Sequence, residues 1–134
     1  MAFDRRNPTK RVLIVDQSED TREVLRTVLQ RHGVQIYEAR EGVEGLDLAK
    51  QCHPDVMVLD LDTIGQLDVA VCNGFDLQAR EENSVLLFLG SVRSWQRPVN
   101  RADVVAKPYH YGPLVRRIES LLQQAGAGDG ESPD

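Results

Sequence analysis

The run Val56–Leu59, VMVL, constrains the fold more than any other stretch of the chain, because it is apolar at every position. A strand of that kind is buried on both faces, and such strands sit inside parallel sheets covered above and below. Other runs repeat the pattern. Arg11–Val15 reads as a first strand, Val34–Ala39 as a second, Val85–Leu89 as a fourth and Val104–Ala106 as a short fifth. Amphipathic segments separate them. Ser18 is placed to cap a helix running through about Arg31, with Glu19 and Asp20 complementing its dipole and His32-Gly33 ending it. Val24, Leu25, Val28 and Leu29 form one stripe of that helix. Val43, Leu46, Leu48, Ala49 and Cys52 suit a second helix that stops at His53-Pro54. A loop follows the third strand, then a short, weakly patterned helix over Phe75–Glu81. Pro113 opens a last helix, in which Leu114, Val115, Ile118, Leu121 and Leu122 recur at helical spacing. Strand and helix alternate as in right-handed βαβ units, so the expected fold is an α/β three-layer sandwich with helices on both faces of a parallel sheet.

The 134 residues suit one domain. We expect a flexible lead over residues 1–9, a folded body over 10–124 and a disordered acidic tail over 125–134, AGAGDGESPD, which has too little apolar surface to pack. A net charge of -5 without a basic face argues against nucleic acid as a partner. No apolar run approaches the roughly 20 residues that cross a bilayer. The opening MAFDRRNPTK lacks an apolar signal core. Cys52 and Cys72 form no CxxC or zinc-type spacing. The expectation is a cytoplasmic protein with reduced thiols that binds neither membrane nor nucleic acid.

Two of the strands end on acids. VLIVD closes at Asp16 and VMVLD at Asp60. In open parallel sheets, ligands bind beyond the carboxyl ends of the strands where strand order reverses. For five strands in the common order 2-1-3-4-5, the first and third are neighbours about 4.8 Å apart. Asp16 and Asp60 then share one crevice, and carboxylates that close repel each other unless a cation or proton intervenes. A hard divalent ion such as Mg²⁺ prefers such oxygens. Lys107, just after the fifth strand, brings an ammonium to the same rim.

With these residues in view, positions 10–124 resemble the receiver domain of response regulators, the CheY-like module of two-component signalling. The motifs are VLIVD with Asp16, VMVLDLD with Asp60, NGFDL at Asn73–Leu77 and AKPY at Ala106–Tyr109. The resemblance implies the flavodoxin-like (CheY-like) sandwich and an atypical receiver acting alone in a phosphorelay. Asp60 would be the phosphoacceptor, served by a sensor histidine kinase or a histidine phosphotransfer protein and passing the signal to an unknown downstream protein. Asp16, Asp60 and the main-chain carbonyl of Asp62 would hold Mg²⁺, Lys107 would pair with phosphoryl oxygens, and Pro108 would follow a cis peptide.

The chain also departs from that family. Gln17 stands where a second acid ligates the metal; its amide oxygen is a candidate ligand with one less negative charge. TIGQLDVAVCN replaces a short Met-Pro turn after Asp60, as a lid or a plain insertion. FLGS offers Ser91 as the only candidate hydroxyl for a phosphoryl group, or as a helix cap. Val92–Asp103 is short for a fourth helix and is interrupted by Pro98, so a shortened or irregular connection is expected there. Val104 occupies the place of an aromatic switch residue, and Trp95 either anchors a partner or packs against the shortened segment. These departures keep a second reading open, a pseudo-receiver binding proteins without phosphorylation. A third, a haloacid-dehalogenase-like phosphatase suggested by DLDTI, lacks distal metal-binding acids and a cap.

Overall fold

The computed structural model describes residues 9–65, 69–90 and 102–128. Five strands, β1 (Arg11–Val15), β2 (Gln35–Ala39), β3 (Val56–Asp60), β4 (Val85–Leu89) and β5 (Ala102–Val105), form one sheet in the order β2-β1-β3-β4-β5. All four pairings are parallel. The helices are α1 (Glu19–Gln30), α2 (Gly42–Cys52), a single turn α3 (Leu61–Ile64), α4 (Val69–Glu82) and α5 (Tyr111–Gly128). This is the flavodoxin-like, CheY-like arrangement.

Alternation along each strand divides the core in two. Val12, Ile14, Val56, Val58, Leu87 and Leu89 pack with Leu25 and Leu29 of α1 and with Leu114 and Ile118 of α5. Their strand neighbours Leu13, Val15, Met57, Leu59, Leu86 and Phe88 face the other way, toward α2, α3 and α4. Every residue of β3 is buried, the apolar run Val56–Leu59 as its composition requires and Asp60 with it. β2 lies at the edge, and there Arg22 and Arg26 of α1 both pair with Glu38, at 3.1 and 2.5 Å.

Helix ends follow local chemistry. The Ser18 hydroxyl accepts the Thr21 N–H at the start of α1. Beyond its end the chain turns at Gly33, whose φ of 79° suits glycine. α2 closes on His53 in a left-handed conformation.

The largest difference from sequence expectation is α4. It starts at Val69 rather than Phe75, so most of the segment read as a loop is helical. Val71, Cys72, Phe75 and Ala79 make its buried face. Gly74 is a contact residue: a Cβ there would strike the Leu46 side chain of α2. The Asn73-Gly74 pair therefore permits close helix packing here instead of marking a turn. β5 begins at Ala102, earlier than Val104. α5 begins at Tyr111 with Pro113 in its first turn, where a missing N–H costs nothing, and continues past position 124 to Gly128. Ser91, Trp95 and the connection that would carry the fourth helix of the family lie outside the described residues, as do most of the N-terminal lead and the last six residues of the tail.

Candidate functional site

β1 and β3 are adjacent and in register through Val15 and Leu59, so Asp16 and Asp60 arrive together at the carboxyl rim of the sheet. Both are buried, at 3% and 2% exposure. Lys107 follows β5, two strands away from β3, and its ammonium forms an ion pair with Asp60 Oδ1. Three side chains from separate parts of the chain thus meet at one rim. Lys107 also donates to Asp62 Oδ2 at 3.1 Å. The peptide between Lys107 and Pro108 is cis.

Asp60 is held by local structure. As the residue before α3, it accepts on Oδ2 the Thr63 N–H at 3.1 Å and the Thr63 hydroxyl at 2.6 Å. Its Oδ1 is buried, is ion-paired with Lys107 and, among the described residues, accepts no hydrogen bond. Asp16 Oδ1 accepts the Ser18 N–H at 2.9 Å, while its main-chain carbonyl accepts from Arg22 Nε at 2.9 Å. Thr63 and Arg22 were not singled out from the sequence. For Thr63 a signal existed, since an Asp beginning a turn commonly caps a residue three positions on.

Burial raises the Asp16 carboxyl above its ordinary range; the Ser18 N–H opposes this, the Asp60 charge adds to it, and Lys107 and Arg22 work against it. Burial pulls Lys107 down, but its bonds to Asp60 and Asp62 outweigh that and leave it raised, so it is a fixed positive charge. For Asp16 the sign is unfavourable to stability. Between the ordinary carboxylate range and the raised value, the folded state binds more protons than the unfolded one, so stability falls as pH rises through that window. Asp16→Asn retains an acceptor for Ser18 and removes the buried charge. Its melting temperature near neutral pH is expected to rise by about 2–6 °C by calorimetry, and a fall would show that the Lys107 and Arg22 attractions dominate.

The other expected participants are placed as follows. Gln17 is exposed; its N–H donates to the Thr63 hydroxyl oxygen at 2.9 Å, and it lines an outer groove with Arg40, Glu41, Val43, Glu44 and Asp47. The Asp62 side chain turns outward to Lys107 and is 68% exposed. A separate groove of about 560 Å³ opens beside Asp16 and Lys107, walled by Thr21, Tyr109 and Tyr111. Thr21 Oγ1 and the Tyr111 hydroxyl close one side of it at 3.3 Å.

Among the described residues there is no group of three or more His, Cys, Asp or Glu side chains suited to a metal. Two buried carboxylates nevertheless fit Mg²⁺, which keeps several waters and takes one or two carboxylates. Asp60 Oδ1 faces the Lys107 ammonium and, among the described residues, accepts no hydrogen bond, so a lone-pair direction remains on it for such an ion. The arrangement can neutralise an oxyanion with one ammonium and supply a positioned carboxylate nucleophile.

A family model described as a response regulator receiver domain matches residues 12–80. The response regulator MprA of Mycobacterium sp. (strain KMS) is 32% identical over 130 residues, covering 92% of this chain and 55% of that protein. The chain spans about half the length of the first curated relatives it matches. It spans 97% of the protein PilH of Pseudomonas aeruginosa, at 27% identity over 84% of its own length. Among solved structures, the chemotaxis response regulator CheY4 of Vibrio cholerae superposes with a TM-score of 0.71 at 20% identity, over 85% of this chain and 99% of that one.

Proposed function

The chain belongs to the response regulator receiver domain family, and from that premise we propose that Asp60 accepts a phosphoryl group from the phosphohistidine of a sensor kinase or phosphotransfer protein, assisted by Mg²⁺. Proteins of this family act in phosphorelay signalling. The observation that carries the finer reading is the convergence of Asp16, Asp60 and Lys107 at one rim, with Asp60 buried and its Oδ1 paired with the Lys107 ammonium.

The chemistry follows from charge. A carboxylate attacking phosphorus passes through a loose transition state whose charge spreads over the phosphoryl oxygens, so catalysis is positioning and neutralisation. An Asp60 oxygen forms the new bond to phosphorus as the phosphorus–nitrogen bond breaks, and the electron pair stays on the departing imidazole nitrogen. Lys107, held against Asp60, supplies positive charge to the phosphoryl oxygens without reorganising. Asp16 and Asp60 would hold Mg²⁺, whose charge would offset the repulsion between the carboxylates and the phosphoryl oxygens. Asp62 also holds Lys107, at 3.1 Å, and keeps the ammonium at this rim. The added charge and acceptor oxygens at Asp60 would then reorganise neighbouring loops, which is how the signal leaves the domain.

Incubation with Mg²⁺ and a small phosphodonor tests this reading directly. One Mg²⁺-dependent adduct is expected, and no adduct even with an active donor kinase would count against it. Replacing Gln17 restores the missing charge next to Asp16 in the chain, at a position whose main chain bonds to Thr63. Gln17→Asp is expected to bind Mg²⁺ more tightly in a calorimetric titration. Unchanged affinity would place position 17 outside the coordination sphere.

The exposure of Gln17 and the lack of a three-acid cluster among the described residues favour a second reading, a protein-binding module of the same fold that needs no phosphorylation. That module would show no saturable response to Mg²⁺.

A further inference from the structure

The two oxygens of Asp60 are unequally engaged. Oδ2 accepts both the N–H and the hydroxyl of Thr63, at 3.1 and 2.6 Å. Among the described residues, Oδ1 accepts no hydrogen bond and meets the Lys107 ammonium alone. A carboxylate oxygen has two lone-pair directions, and both on Oδ2 are taken. The hydroxyl responsible is itself fixed. Its oxygen accepts the Gln17 N–H at 2.9 Å, from a residue 46 positions away, which leaves its one hydrogen to point at Asp60. Thr63 therefore ties the end of β1 to the end of β3 through the reactive carboxylate.

Phosphoryl transfer asks two things of Asp60 at once: one oxygen for the cation and one for phosphorus. In the observed arrangement only Oδ1 has a direction left for either. We propose that Thr63 is a positioning residue that latches Asp60 in a resting state, and that its hydroxyl must leave Oδ2 before the carboxylate can both bind a divalent cation and attack. The inference rests on the reading of Asp60 as phosphoacceptor. On release, one oxygen of Asp60 bonds to phosphorus as the donor's phosphorus–oxygen or phosphorus–nitrogen bond breaks, and the hydroxyl hydrogen stays on Thr63. The contact comes from the main chain of position 17, so the latch does not depend on which side chain stands there.

Thr63→Val keeps the shape and β-branching of the side chain and removes only the hydroxyl; Thr63→Ala removes it with less bulk, should the valine variant fold poorly. Thr63→Ser keeps it. Each is titrated with Mg²⁺ by calorimetry and, separately, incubated with Mg²⁺ and acetyl phosphate. Losing one hydrogen bond to a charged group is expected to tighten Mg²⁺ and speed phosphorylation by about tenfold in the valine and alanine variants. Thr63→Ser should stay within about threefold of the parent, since it retains that bond. Unchanged or weaker Mg²⁺ binding in both hydroxyl-free variants overturns the latch, as does an absence of Mg²⁺ binding in every protein. Tighter Mg²⁺ binding in the hydroxyl-free variants with no adduct in any protein upholds the latch on cation binding and overturns the phosphoacceptor reading, and with it the attack step.

Discussion

Asp60→Asn is expected to take up no phosphoryl group while keeping its fold. The amide lacks the anionic oxygen that attacks phosphorus, so no covalent intermediate forms. Its carbonyl oxygen still accepts both Thr63 donors, which preserves the start of α3. Lys107 loses one partner and retains Asp62. Asp16 loses the neighbouring charge that helps to raise its carboxyl, so part of its unfavourable burial is relieved. The two effects oppose each other, and the melting temperature is expected to stay within about 5 °C of the parent. Intact-mass analysis after incubation with a phosphodonor, beside a thermal melt, reads both quantities. An adduct at the parental level would show that another residue accepts the group. A melt lowered well beyond that range would show that the Asp60–Lys107 pair supports the fold instead of serving chemistry.

Phe75→Ala is expected to cost about 3–5 kcal/mol of stability, the usual range for emptying a buried aromatic site. Phe75 is 1% exposed and packs in the layer between the sheet and α2. Its ring tip lies 3.3 Å from where a Cβ on Gly45 would sit, beside the Val15 side chain that immediately precedes Asp16. A cavity there removes support from α2, α4 and the end of β1 together, and α2 has no side chain positioned to move in where Gly45 stands. Against a total stability of about 5–15 kcal/mol the loss is large, and the melting temperature should fall by on the order of 10 °C or more. Leu77→Ala, on the same helix but 49% exposed, is the control and should change stability by no more than about 0.5 kcal/mol. Denaturant titration of both decides the matter. A loss below about 1.5 kcal/mol at Phe75 would mean that the site collapses to fill the void.

Much of this architecture could be read before any coordinates. Continuous apolar runs identify buried strands because burial on both faces leaves no place for a polar residue, and β1, β3 and β4 were legible for that reason. α1 was legible because Ser18, Glu19, Asp20 and Gly33 each act on the nearest turn of backbone. Asp16 and Asp60 stood out because a charge that ends an apolar run needs a reason to be there. Long-range packing left weaker marks. Asn73-Gly74 has the local signature of a turn, and only the approach of Leu46 from another helix shows that it is a place of contact. The link from Gln17 through Thr63 to Asp60 joins residues far apart in sequence, and nothing in either neighbourhood announces it. The outward turn of Asp62 toward Lys107 likewise depends on where β5 delivers the ammonium.

Amide NMR during titration with Mg²⁺ and fluoroberyllate, a non-covalent mimic of a carboxylate-bound phosphoryl group, probes the shared rim most directly. Saturable shifts are expected at residues 16–18, 60–63, 106, 107 and 109 together, with none until Mg²⁺ is present. A spectrum that does not respond, or shifts confined to one of the three segments, would contradict a single pocket built from Asp16, Asp60 and Lys107.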